Sequence, residues 1–349
     1  MVIAIEVSPL TSGHKVRGSG FYVEHLKNAL LKYCPQHEYV FFNRGEKLPG
    51  NVDVVHYPYF DPFFLTLPFR KKHKTVVTVH DLTTLVFPEH FSSGAKGKLK
   101  WRLQKRSLRK ADAIITDSIS SQNDIAKFTG VAKEKISVVY LSAGEKFKKI
   151  KSTKDEINSL RAKYNLPEKF LLYVGDVTWN KNLPRLVEAV KIAGIPLVMV
   201  GKALGQVNID VKNPWNKDLM KVQKGVKDNP LFHILGFIPD EDLVLLYNMA
   251  TVFVMPSIYE GFGFPVLEAM SCGVPVITTK EASLSEIAGE SAYFVDAFNT
   301  ENIAKGIETV WNDKNLQTGL SKAGEKQAKK FSWEKTARET VKIYEKTYS

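Results

Sequence analysis

Cysteine is scarce: the 349-residue chain has two, Cys34 and Cys272, with no metal-ligand spacing around either. That excludes a disulfide scaffold and a cysteine-rich metal site, and it leads us to expect a reducing compartment. Any apolar run long enough to span a bilayer is also missing, so no membrane-crossing helix is expected. The opening residues, Met1 to Pro9, lack the basic segment and apolar core of a secretion signal and read as a strand. Short-period repeats and low-complexity tracts are lacking too. Acidic residues are outnumbered, 37 against 49 Lys and Arg, which gives a formal net charge of +12. That imbalance suits an anionic partner, whether nucleic acid, an acidic membrane surface or a phosphorylated substrate, and does not choose among them.

What is present describes a folded protein. The composition, 44% hydrophobic and 25% charged, can build real cores, and 349 residues exceed what one core usually serves, so two domains are expected. Short apolar runs alternate with helical stretches, the mark of a parallel sheet covered by helices on both faces, and the fold class is α/β. Strands are expected at Val2 to Val7, Tyr39 to Phe42, Val52 to Tyr57, Thr75 to His80, Ala113 to Thr116 and Ile136 to Tyr140. Helices are expected from about Phe21 and over Lys98 to Lys110. The charged segment Gly144 to Lys154 breaks the pattern, and a helical stretch, Asp155 to Tyr164, leads to Asn165-Leu166-Pro167. A second series follows, with strands at Phe170 to Val174, Leu197 to Val200, Phe232 to Leu235, Val252 to Met255, Val274 to Thr278 and Ala292 to Val295. Its helices lie near Leu183 to Ala193, Glu241 to Met249 and Val266 to Met270. The expected domains are 1–165 and 166–331, and ligands of such sheets sit beyond the carboxyl ends of the strands.

Four strand-end loops can carry chemistry. Pro256 to Met270, with Glu260-Gly261-Phe262-Gly263-Phe264-Pro265-Val266-Leu267-Glu268 at its centre, runs from a strand through a glycine loop into a helix. Pro265 suits the first helical turn, which sets the amides of Gly263, Phe264 and Val266 at a positive helix end, a natural anion site. Glycines at 261 and 263 let a ligand approach the backbone, and the carboxylates of Glu260 and Glu268 can accept hydrogen bonds from sugar hydroxyls. A plain strand-to-helix turn with two incidental charges explains the same residues. In Val174 to Arg185, Lys181 falls near a helix start, where an ammonium adds to the dipole's pull on a diphosphate, and Arg185 lies one turn further along the same face. The alternative is a surface lysine. His80, in Thr78-Val79-His80-Asp81, ends a strand and can either face a ligand or bond to Asp81 or a backbone carbonyl; His56 has the same two readings. Arg17-Gly18-Ser19-Gly20-Phe21 stands directly before a helix, as a phosphate-facing loop or as a flexible turn.

Together these segments resemble the retaining glycosyltransferases of family 4, over nearly the whole chain. The specific part is the Glu-x7-Glu element, Glu260 to Glu268; Gly18 to Phe21, Thr78 to Asp81, Ala111 to Ser118, Lys181-Asn182 and Phe331 to Glu334 support it. The resemblance implies the GT-B fold, two Rossmann-like domains whose parallel sheets face across a cleft, with a last helix (332–349) returning to the N-terminal domain. It implies that Glu268 binds the ribose hydroxyls, that Glu260 and the Gly261 to Phe264 backbone hold the donor sugar, that Lys181 binds the diphosphate, and that His80 contacts the sugar near the reacting carbon. Gly18 and Gly20 would join the donor site, and Phe237 and Ile238 would contact the base. Asp176 departs from the pattern, because many members have an arginine there; Arg185 or Arg17 would then supply the second diphosphate cation.

The expected function is transfer of a hexose, mannose favoured, from a UDP- or GDP-sugar to a glycan or lipid-linked acceptor, with retention by front-face displacement. No cofactor and no metal are expected, since no Asp-x-Asp element of the kind metal-dependent transferases use is recognised. A cytoplasmic location with peripheral contact at the inner membrane face is expected. Rival readings are a sugar-nucleotide epimerase of the same fold, a glycan phosphorylase, and a basic binding protein for nucleic acid or membrane without transferase activity. The basic stretch Lys96 to Lys110, with Leu99, Trp101, Leu103 and Leu108, reads as a solvated helix packed by its leucines or as a dock for an anionic bilayer.

Overall fold

Strands Leu197–Val200 and Val252–Met255 are buried at every position. A strand covered by helices on both faces must be, and its apolar residues then run continuously instead of alternating. The computed structural model describes residues 1–11, 18–206, 209–211 and 213–349, and among these, twelve strands form two six-stranded sheets. The first holds β1 (Val2–Glu6), β2 (Glu38–Phe42), β3 (Val54–Tyr57), β4 (Lys74–Thr78), β5 (Ala113–Thr116) and β6 (Ile136–Val138), in the order β2-β1-β3-β4-β5-β6. The second holds β7 (Leu171–Val174), β8 (Leu197–Val200), β9 (Phe232–Gly236), β10 (Val252–Met255), β11 (Val276–Thr278) and β12 (Tyr293–Phe294), in the order β12-β11-β10-β7-β8-β9. Every pairing in both sheets is parallel. The expected α/β class is observed.

The chain forms two compact units, residues 1–142 with 331–349, and residues 143–330. The expected division at 165/166 thus moves to 142/143, and the side-chain contacts of the intervening segment explain why. Tyr164 and Lys163 both donate to Asp242, at 2.6 and 2.7 Å. Asn248 receives the Ile150 amide and donates to the Lys148 carbonyl. These bonds fasten residues 143–165 to helix Asp240–Met249 of the second unit. In the first unit, helix Trp333–Tyr348 packs on helix Gly18–Tyr33, and His25 stacks on Trp333 with ring centroids 5.0 Å apart. Ser332 caps the last helix by accepting from the Lys335 amide, and Thr336 Oγ1 donates to the Tyr140 carbonyl.

Helix ends follow local chemistry. Thr153 and Glu156 form a capping box at the start of helix Lys154–Tyr164, and Asn165 ends it in the left-handed region. No helix is long and apolar enough to cross a membrane among the described residues. Helices Ile119–Thr129, Lys217–Val226, Thr300–Asn312 and Lys314–Ala328 were not marked from sequence.

Candidate functional site

In the second sheet, β7 and β10 are neighbours although their sequence order jumps, so the chain turns in opposite directions after them, the place where sheets of this kind take their ligands. The loop after β7 supplies Asn180, Lys181 and Asn182; the loop after β10 supplies Ser257 to Gly263. Irregular loops leave backbone carbonyls with no ladder partner, and here side chains take their place. Asn180 Nδ2 donates to the Tyr259 carbonyl at 2.9 Å, while its own carbonyl accepts from the Ile258 amide at 2.7 Å. Asn182, in the left-handed region at φ 60°, donates through Nδ2 to the Pro256 and Ala297 carbonyls. Buried Ser283 Oγ reaches the carbonyls of Glu260 and Phe262 at 2.8 and 2.9 Å.

This lacing presents one ion pair. Lys181 Nζ donates to Glu260 Oε2 at 2.7 Å and to Oε1 at 2.8 Å, and the two side chains are only 17% and 9% exposed. The family resemblance implies a diphosphate for the lysine and a sugar for the carboxylate; in the structure the two side chains also hold each other. An ammonium has three N–H groups, so Lys181 can serve a further acceptor.

Gly263 caps helix Phe264–Ser271 at φ +106°, a conformation that favours glycine, and a Cβ there would lie 3.0 Å from Leu284 Cδ2. The amide of Val266, expected to face a ligand, donates instead to the Gly263 carbonyl at 3.1 Å. Phe262 is buried, and its ring meets that of Phe264 at 5.1 Å. Glu268 is buried and accepts from the Tyr247 hydroxyl at 2.8 Å. Burial drives its pKa up, to about 7; the Tyr247 bond opposes this.

Other expected members fall around this core with different contacts. Arg185 donates to Asn182 Oδ1 at 2.8 Å and stands over the Phe298 ring, lining a recess with Trp179, Glu188 and Asp218. Asp176 is exposed, and its Oδ1 accepts from the next amide, Val177. Beyond β9, Phe237 is 65% exposed while Ile238 is buried. Gly201, which the sequence reading passed over, is required by a close approach: a Cβ there would overlap the Gly175 carbonyl oxygen at the end of β7. The triplet Asp240-Glu241-Asp242 does carry the Asp-x-Asp spacing, a correction to the sequence reading. It forms the first turn of a helix, where Asp240 pairs with Lys146 and Asp242 with Lys163 and Tyr164.

In the first unit, His80 bonds through Nδ1 to Asp117 Oδ2 at 2.7 Å, a partner after β5 and not the adjacent Asp81. Burial opposes a charged ring here, yet the Asp117 carboxylate and its hydrogen bond, with Asp81 and the Pro58 carbonyl, hold its pKa above the usual histidine value. His56 is the opposite case. It is fully buried, with Nε2 on Thr78 Oγ1 at 2.8 Å and Nδ1 on the Tyr344 hydroxyl at 2.7 Å, and burial lowers its pKa to about 3. His56 is therefore a structural, neutral histidine. Gly18 and Gly20 lie within the first turn of helix Gly18–Tyr33 and not in a loop before it, and Arg17 lies outside the described residues.

Comparison with known proteins decides the family. O-antigen chain mannosyltransferase B of Escherichia coli is 31% identical over 301 residues, 84% of this chain and 75% of that protein. The chain belongs to glycosyltransferase family 4. The family model "Glycosyltransferase Family 4" matches residues 16–142, and "Glycosyl transferases group 1" matches residues 156–327. The serotype-specific mannosyltransferase WbdA of Escherichia coli is 28% identical over 266 residues, 76% of this glycosyltransferase but 32% of WbdA. Among solved structures, Anabaena Alr3699/HepE in complex with UDP covers 99% of each chain at a TM-score of 0.72 and 16% identity, which shows a shared GT-B fold.

Proposed function

We propose that this glycosyltransferase moves a hexose, with mannose favoured, from a nucleoside-diphosphate sugar to a glycan or lipid-linked acceptor with retention of configuration. The observation that carries the reading is the Lys181–Glu260 pair at the reversal of the second sheet, with Glu268 eight residues on. The names of the relatives support the sugar, and a solved neighbour that holds UDP supports a nucleotide-linked donor.

Lys181 would lie against the diphosphate, and Glu260 with the Gly261 to Phe264 backbone against the donor sugar. Glu268 would accept from the ribose hydroxyls, with Phe237 and Ile238 at the base. His80 keeps the sugar contact that the family resemblance gives it, and Gly18 and Gly20 remain candidates for the donor. Arg185 is the candidate second diphosphate cation. In the front-face reaction the acceptor oxygen bonds to the anomeric carbon as the bond from that carbon to the phosphate oxygen breaks. The leaving diphosphate keeps the electron pair and takes the acceptor proton. Lys181 would stabilise the charge that develops there, an electrostatic and positional task that asks for neither a cofactor nor a divalent metal.

The free, buried state of Cys34 and Cys272 supports a cytoplasmic setting, which we propose together with peripheral membrane contact. The test is an assay of nucleoside-diphosphate release from UDP- and GDP-hexoses in excess chelator, with the product's anomeric configuration read by NMR. Activity with retention and without metal is expected. Activity that disappears in chelator and returns with manganese would overturn the metal-free mechanism.

A further inference from the structure

Helix Gly94–Arg109 carries seven Lys and Arg and no Asp or Glu. Gly97, Gln104, Ser107 and Leu108 are its buried side, and the loop 61–70 is fastened along it. Phe63 lies beside Gly97, where a Cβ would sit 3.6 Å from its ring. Further along, Gln104 Oε1 accepts from the Thr66 and Leu67 amides at 3.0 and 2.9 Å, and Ser107 Oγ donates to the Pro68 carbonyl at 2.6 Å. The loop therefore runs alongside the helix and leaves two of its phenylalanines outward: Phe64 is 62% exposed and Phe69 53%. On the helix, Leu99 and Leu103 stand one turn apart and are also exposed. The Lys100 ammonium lies 5.1 Å from the centroid of the Phe64 ring and joins the two rows.

A solvated basic helix does not require a loop pinned beside it to hold phenylalanines in water. The geometry points to a docking surface for an anionic lipid bilayer. Phe64, Phe69, Leu99 and Leu103 would enter the interface, and exposed Lys98, Arg102 and Arg106 would meet lipid phosphates. Charge complementarity selects this occupant: phosphates take the cations and the acyl boundary takes the apolar side chains. A second copy of the same surface would oppose cations with cations, and a nucleic acid would use the charges and leave the leucines in water. Phosphate contact alone does not need them.

The proposal rests on the peripheral membrane contact proposed above and gives it a surface; its test reads binding alone, so its failure removes that contact and leaves the transferase reading standing. The purified chain is sedimented with vesicles of phosphatidylcholine, or of phosphatidylcholine with phosphatidylglycerol, over a salt series. Binding only to the anionic vesicles is expected. Lys98→Glu/Arg102→Glu should lower partitioning by roughly tenfold or more, and Phe64→Ser/Leu99→Ser should lower it even at low salt. The control pair Lys305→Glu/Lys322→Glu, exposed positions of the second unit, removes the same charge and should bind as wild type. In Phe64→Trp, brominated acyl chains should quench the new fluorescence. Equal losses in the control pair, no effect of Phe64→Ser/Leu99→Ser, or absence of quenching would overturn the proposal. So would retention of a DNA duplex by a chain that ignores vesicles.

Discussion

The two units share one recipe, a parallel sheet covered by helices, yet they place their charged pairs differently. In the second unit Lys181 and Glu260 follow β7 and β10, the strands between which the connection reverses, which is where we place the donor. In the first unit His80 and Asp117 follow β4 and β5, consecutive neighbours with no reversal between them. Their support differs as well. Behind His80 lies a buried chain of side-chain hydrogen bonds, from Tyr344 through His56 and Thr78 to Tyr22, whose ring meets His80 edge-on. Behind Lys181 and Glu260, side-chain amides and a hydroxyl satisfy the carbonyls of two irregular loops. A buried network fixes one histidine neutral and leaves its neighbour to take a proton; a laced loop fixes an ion pair that a ligand can share.

The sharpest way to break this contrast is to remove the ammonium. Lys181→Ala should lower kcat/KM for transfer by about 10²- to 10³-fold, as expected for loss of a group that stabilises developing charge. Arg185→Ala, whose contacts are Asn182 and Phe298, should lower it by less than about tenfold; equal losses would put the two cations on one footing.

Stability separates the supports. His56→Leu strands the buried Tyr344 hydroxyl and one bond of Thr78, and should destabilise the first unit by about 2–3 kcal/mol in thermal or denaturant unfolding. The pH dependence has a definite sign. The folded pKa of about 3 lies below the ordinary 6.5, so between these values the unfolded chain binds the extra proton. The histidine's contribution is complete above pH 6.5 and is lost as pH falls toward 3, and His56→Leu should flatten that slope. In the second unit, Asn182→Ala frees two buried carbonyls and puts alanine at φ 60°, for a loss of about 2 kcal/mol; no change in unfolding would show that the lacing is incidental.

Much of this was legible beforehand because strands of a covered parallel sheet are short and uniformly apolar, as in Leu197 to Val200 and Val252 to Met255. Loops that end a strand and open a helix also announce themselves, as Glu260 to Glu268 did. Partners distant in sequence did not. Asp117 is 37 residues from His80, so the adjacent Asp81 looked the better candidate; only the pairing of β4 with β5 brings the two loops together. Asn180 and Asn182 were visible beside Lys181 but have no signature until the carbonyls they satisfy are known. Helix Lys314–Ala328 has no apolar stripe to announce it, since its buried residues are Gln317, Gly324, Gln327 and Ala328, and Gly324 packs on Met270, where a Cβ would lie 3.2 Å from Cγ. The division at 142/143 was hidden because the charged run after Gly144 looks like a linker, whereas its carbonyls, amides and lysines bond to helix Asp240–Met249.

An effect of about tenfold, read by pH alone, is expected at Glu268. With its pKa at about 7, the carboxylate proposed to accept from ribose hydroxyls is mostly protonated at pH 6, so nucleotide affinity should be about tenfold weaker at pH 6 than at pH 8. Glu268→Gln should remove that dependence. The same shift acts against stability: with a folded value above the ordinary 4.5, the folded state binds the extra proton between the two, and stability falls as pH rises from about 4.5 to about 7.

The most direct test is calorimetric titration of UDP, GDP, ADP and their common hexose conjugates, without divalent metal, into the wild-type chain and Glu268→Ala. The account predicts that one nucleotide binds the wild type and that the variant loses about tenfold or more of that affinity, two hydrogen bonds to a carboxylate being at stake. Absence of nucleotide binding, or equal affinity in the variant, would contradict it.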